Sequence, residues 1–200
     1  AGIKGEIMAT TTTPTTKGLV GKSIRRTEDP RLITGTATYV DDLTRPGMLY
    51  AAVLRSPYAS AKISSISIEK AASFPGVSAV YTGEDVKEVG PVPCAGSMPT
   101  LRVPHHKILA QDRVYYVGHP VAAVVASDRY VAQDAVDQIE VEYEPTECVV
   151  DPEKALESDA VRVHPEYDDN VAFTFHAEGG DTDAAFAAAD VVVSERVTVP

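Results

Sequence analysis

The chain is poor in cysteine, in basic residues and in long apolar runs. Only two of its 200 residues are cysteine, Cys94 and Cys148, far apart and in no CxxC pair. That excludes a disulfide framework and leaves no thiolate set for zinc or an iron–sulfur cluster. Both are expected to be inert thiols in a reducing compartment. Lys and Arg number 18 against 29 Asp and Glu, a formal net charge of −11. Such an acidic surface argues against nucleic acid or an anionic membrane as the main partner. The longest apolar run, around Pro120–Ala126, is far too short to span a bilayer. Residues 1–7 mix polar and apolar types without a signal-peptide pattern, and Met8 is a candidate natural start. Gly179-Gly180 lacks both a GxGxxG frame and a P-loop lysine, so it signals no nucleotide site. What remains is an ordinary globular composition, 44% hydrophobic, long enough for one or two domains with a real core. A cytoplasmic location is expected.

Patterning along the chain predicts an α+β fold. Thr10–Thr16 is low-complexity and reads as part of a flexible tail over residues 1–18. Asp29-Pro30 can cap and start a short helix that Gly35 stops. Leu49–Leu54 is continuously apolar, as for a strand buried on both faces. Ile63–Ile68, a short helix to Phe74, and a strand over Val77–Tyr81 follow, then a helical turn at Glu84–Glu88. Residues 89–107 hold four prolines and two glycines, which forbids regular structure and predicts a long ordered loop, often a functional one. Val114–Val117 and Val121–Ala126 are strands. Asp128 caps a helix from Arg129 to about Gln138, whose core stripe is Val131, Ala135 and Ile139. The alternation of Ile139, Val141 and Tyr143 with Glu140, Glu142 and Glu144 is a half-exposed strand. Strand, helix, strand in that order predicts a right-handed crossover, with Val121–Ala126 parallel to Val141–Tyr143. Asp151-Pro152 starts a brief helix through Leu156. Asp183–Ala189 is a helix, and Val191–Val199 a final strand without a successor, as in a chain cut within a domain.

Several segments carry a resemblance. They are Arg26-Thr27-Glu28-Asp29-Pro30-Arg31 through Asp41-Asp42-Leu43, Pro46-Gly47-Met48 through Ile63, and Pro75-Gly76-Val77 through Val86. Tyr116-Val117-Gly118-His119-Pro120-Val121 through Ala126, Val141-Glu142-Tyr143-Glu144-Pro145, and Gly180-Asp181-Thr182 through Val193 continue the series. In order, over about residues 18–195, they resemble the start of the molybdenum-binding large subunit of the xanthine dehydrogenase / aldehyde oxidase / aerobic carbon monoxide dehydrogenase family. The resemblance implies an α/β hammerhead domain over residues 19–155, followed by the first elements of a molybdopterin-binding domain over 156–200. It implies oxidative hydroxylation of an aldehyde or N-heterocycle, or oxidation of CO, with water as the oxygen source. Molybdenum–pyranopterin would be bound mainly by downstream residues. The [2Fe–2S] clusters and FAD would sit on an iron–sulfur small subunit and a medium subunit, and the large subunit would dimerise. The family's catalytic glutamate and cofactor segments have no counterpart here, so no catalytic residue and no metal ligand is assigned. In the family, the loop before the Ala-x-Asp segment, here Ala110-Gln111-Asp112, helps line the funnel to the metal. That maps onto Leu101, Arg102 and Val103, within the Pro/Gly-rich loop. A guanidinium there would favour an anionic or polar substrate.

Other constellations read more plainly. His105 and His106 are adjacent, so in an extended segment their side chains diverge, and they are expected to be loop histidines rather than a chelate. For His119, a structural hydrogen bond or subunit contact is expected. The Glu140, Glu142 and Glu144 row is expected to be a solvated strand face, and the charges at residues 25–31 a polar docking or salt-bridging cluster. Two further readings of the whole chain are a separately translated, non-catalytic structural subunit and a free-standing small-molecule-binding domain. The second leaves the ordered resemblance unexplained.

Overall fold

The computed structural model describes residue 18 and residues 20–197; the Thr10–Thr16 segment lies outside them. The chain divides into two units, Ala1–Pro46 and Gly47–Pro200. In the first, helix α1 (Asp29–Ile33) begins one residue earlier than expected, so Pro30 is its second residue and Asp29 lies inside the first turn rather than capping it. Glu28 takes the N-cap position with helical dihedrals and no side-chain cap. Asp29 instead faces Arg26 at 3.7 Å. Gly35, at φ 69°, ends the helix in the left-handed region that suits glycine.

The second unit is built from two three-stranded sheets and short helices: β1 (Tyr50–Arg55), β2 (Ala61–Ser67), α2 (Glu69–Ala72), β3 (Val77–Thr82), β4 (Arg113–Val114), β5 (Pro120–Ala126), α3 (Arg129–Val136), β6 (Glu140–Pro145) and α4 (Thr182–Ala188). One sheet runs β1-β5-β3 and the other β4-β2-β6. Every pairing is antiparallel. The predicted parallel crossover from β5 to β6 is therefore absent. The reason is edge occupancy: β1 and β3 take both edges of β5, while β6 finds its partner in β2 through Ile63↔Tyr143 and Ile66↔Val141.

β5 is the apolar run that the sequence singles out, and it is buried on both sides for a specific reason. Ala122 and Val124 join Ala71, Ala135, Val136 and Ile139 in one core. Val121 points the other way and joins Ala61, Ala110 and Val114 in a second. Ile66 and Val141 pack against both. β1 differs from expectation. It alternates half-buried and exposed residues, with Val53 at 38% exposure, because α3 covers only one face of its sheet. The stripe of α3 also shifts: Ala132, Ala135 and Val136 are buried, and Val131 lies over Gly76 instead. Asp128 caps α3 as predicted, accepting from the backbone N–H groups of Tyr130 and Val131. The expected Val114–Val117 strand shrinks to Arg113–Val114 and then turns. Among the described residues, Val191–Val197 pair with no strand, since a strand needs a neighbour to satisfy its backbone.

Candidate functional site

Two features of the second unit bear on function. The first is the Pro/Gly-rich loop, which carries no helix or strand, as its composition demands. It is nonetheless pinned to residues 169–174. The Arg102 N–H donates to the Ala172 carbonyl at 2.9 Å. Thr100 Oγ1 donates to the Thr174 carbonyl at 3.0 Å and accepts from the Thr174 N–H at the same distance. The Arg102 guanidinium pairs with Asp169 Oδ1 at 2.7 Å and lies 5.8 Å from the Tyr167 ring centroid. The Val171 backbone N–H and, after it, Arg102 hold the Asp169 carboxyl below its ordinary range. Arg102, Pro104, Tyr167 and Asp169 border a cavity of about 260 Å³. Of the three predicted funnel residues, Arg102 alone reaches it. Leu101 is half-buried beside Gly96, and Val103 is exposed.

The second feature centres on His119. A tight turn sets it: Gly118 adopts φ 90°, its N–H donates to the Ser56 carbonyl at 2.7 Å, and Ser56 N–H donates to the His119 carbonyl at 2.9 Å. His119 Nδ1 accepts the Tyr115 N–H at 3.3 Å. In the neutral ring that leaves the proton on Nε2. His119 is 3% exposed. It stacks on Tyr116 at 4.6 Å and on His106 at 5.6 Å between centroids. Burial, and then the nearby His106, lower its pKa from 6.5 to about 4. Next to it, Tyr115 stacks on His164 at 4.8 Å, and Arg113 lies over Tyr115 at 5.1 Å. Burial lowers the His164 pKa too, partly offset by Glu166. Together these residues border a cavity of about 390 Å³.

Of the two roles expected for His119, a structural hydrogen bond or a subunit contact, the hydrogen bond is present; His106, expected to be a plain loop residue, is not one. His106 joins the ring stack and meets the Tyr116 hydroxyl at 3.3 Å. Arg113 and Tyr115 lie a few residues before His119 but form no recognisable motif with it, and His164 is far along the chain and reaches Tyr115 only through packing. The Glu row is a solvated face as expected: Glu144 and Glu142 accept from Ser64 and Ser65, and Glu140 pairs with Lys70. Cys94 and Cys148 are free and exposed. Among the described residues, no three His, Cys, Asp or Glu side chains converge to hold a metal.

The family model "aldehyde oxidase and xanthine dehydrogenase, a/b hammerhead domain" matches residues 34–147. The carbon monoxide dehydrogenase large chain of Afipia carboxidovorans is 40% identical over 192 residues, spanning 90% of this chain and 23% of that one. The nicotine 6-hydroxylase large subunit of Paenarthrobacter nicotinovorans is 39% identical over 189 residues, 90% of this chain and 22% of that one. The crystal structure of quinoline 2-oxidoreductase from Pseudomonas putida 86 superposes with a TM-score of 0.74 at 38% identity, covering 88% of this chain and 22% of that one. The chain thus spans under a quarter of the length of these relatives. With its two small antiparallel sheets and short helices in the family's arrangement, the chain belongs to the aldehyde oxidase and xanthine dehydrogenase family, and residues 34–147 are its a/b hammerhead domain.

Proposed function

We propose that this chain is the front part of the large subunit of a molybdenum hydroxylase. The protein would oxidise CO, an aldehyde or an N-heterocycle, with water as the oxygen source. The observation that carries the reading is the identity of 40% that runs through nine-tenths of the chain to a carbon monoxide dehydrogenase large chain. A hammerhead domain ending near residue 155 would brace the metal-binding part, and residues 156–200 would lead into it. The residues present do not fit the metal group itself. No donor cluster forms among those described, and the two thiols stand apart and exposed. Molybdenum–pyranopterin would be held by other parts of the large subunit. The [2Fe–2S] clusters and FAD would be held by small and medium partner subunits, in a soluble complex with a dimeric large subunit.

This chain's contribution to the reaction would be positional. Arg102, fixed by Asp169, Tyr167 and the Ala172 carbonyl, would set the polarity of the substrate funnel together with Leu101 and Val103. The test is dye-linked oxidation by the native complex, offered CO, aldehydes and N-heterocycles, with the wild-type residue and with Arg102→Ala. The reading expects activity on one class. It also expects a KM for polar members of that class raised about tenfold, for loss of one charge-assisted contact, with kcat little changed. Full activity in colourless, metal-free protein would refute the function. An unchanged KM profile would refute the funnel role alone.

A further inference from the structure

Two buried side-chain N–H groups among the described residues have no hydrogen-bond acceptor: Arg113 Nε and His119 Nε2. Both belong to residues that border the same cavity of about 390 Å³. Buried donors are nearly always matched, and here two residues that border one cavity each carry an unmatched one just beneath its surface. Each is a donor, so each lacks an acceptor. Neither is free to turn elsewhere. His119 is held by the Tyr115 N–H on Nδ1 and by the stacked rings of Tyr116 and His106. Arg113 is held by Ser60, Thr146 and the Tyr115 ring.

We propose that the cavity bordered by Arg113, Tyr115, His119 and His164 is a binding site for a carboxylate group. A carboxylate offers two acceptor oxygens and one negative charge, which matches two donors of which one is cationic. Glu166 and Asp112 also border the cavity, and their like charge repels a dianion such as phosphate about twice as strongly as a singly charged carboxylate. The Tyr115–His164 and Tyr116–His119 stacks supply flat apolar walls for whatever carries the carboxylate. That carrier is either a free aromatic or aliphatic acid, or an acidic side chain from elsewhere in the assembly.

The test uses benzoate as the probe, with inorganic phosphate as control. Histidine-detected NMR follows the full 200-residue chain, and titration calorimetry follows the native complex. The site predicts saturable benzoate binding that shifts the His119 Nε2–H resonance, with phosphate at least tenfold weaker. His119→Phe keeps a flat ring without the donor. Arg113→Lys keeps the charge without Nε–H. Each should weaken binding about tenfold, the worth of one charge-assisted hydrogen bond, while backbone amide dispersion shows the fold retained. If the isolated chain binds and the native complex does not, the assembly supplies its own carboxylate; binding by both points to a free acid. Absence of saturable binding in both preparations, equal affinity for phosphate, or wild-type affinity in the two folded variants would overturn the proposal.

Discussion

Lowering the pH from 7 to 5 should destabilise this protein chiefly through one side chain, His119. An unfolded imidazole takes up its proton near pH 6.5, whereas His119 in the fold does so only near pH 4. Between those values the unfolded chain binds the extra proton, so stability falls as the pH falls. At about 1.4 kcal/mol per pH unit, the full loss below pH 4 is ~3 kcal/mol, of which ~2 kcal/mol has gone by pH 5. For a chain of this length that corresponds to a fall in Tm of roughly 4–8 °C. His119 is almost wholly buried, so solvent does not screen the effect away. His164, also lowered by burial, adds in the same direction. The carboxylates of Glu69, Asp85 and Asp169 are held low, and their contributions are lost only as the pH drops below the ordinary carboxylate range. They therefore fall outside the window. Urea titrations followed by far-UV circular dichroism at pH 7, 6 and 5 measure the slope. His119→Phe should remove most of it. A midpoint that does not move between pH 7 and 5, or an equal slope in His119→Phe, would refute the assignment of a buried neutral imidazole.

Gly83→Ala should cost roughly 1–3 kcal/mol in urea unfolding, because an added Cβ would run into the Ala110 carbonyl and approach Gln111 Cγ to 2.8 Å. Gly96→Ala, with nothing nearer than 3.4 Å, is the control. Val124→Ala should lose about 2 kcal/mol, the burial of its methyl groups plus a small cavity. Val193→Ala, at a position 81% exposed, should stay within about 0.5 kcal/mol. Asp128→Ala should cost about 1 kcal/mol by removing the cap of α3, with Asp128→Asn restoring most of it in the same assay.

Much of the fold was legible in local chemistry. The cap at Asp128, the prolines and glycines of residues 89–107, and the alternation through β6 each act over a few residues and appear where expected. Pairing was not legible. An apolar strand, a short helix and a second strand are compatible with a parallel crossover, and only the occupied edges of β5 decide otherwise. The burial of β1 was overread for a related reason: a continuous apolar run says that a strand can be covered twice, not that a helix lies on each face. The site was the least legible part. His119 stood out because it precedes a proline. Its cavity is bordered by Arg113 and Tyr115, which are close in sequence but fit no motif, and by His164, which long-range packing brings in. Arg102 is singled out in the sequence only by the family resemblance, and Tyr167 and Asp169, which hold it, lie some 65 residues on and carry no motif.

The central claim, that this chain serves a molybdenum hydroxylase, is tested most directly by elemental and flavin analysis of the complex isolated from its native source with an antibody to this chain. The account predicts molybdenum, iron and FAD in fixed ratio to the chain across a sizing column. Active complex that contains this chain but no molybdenum would contradict it.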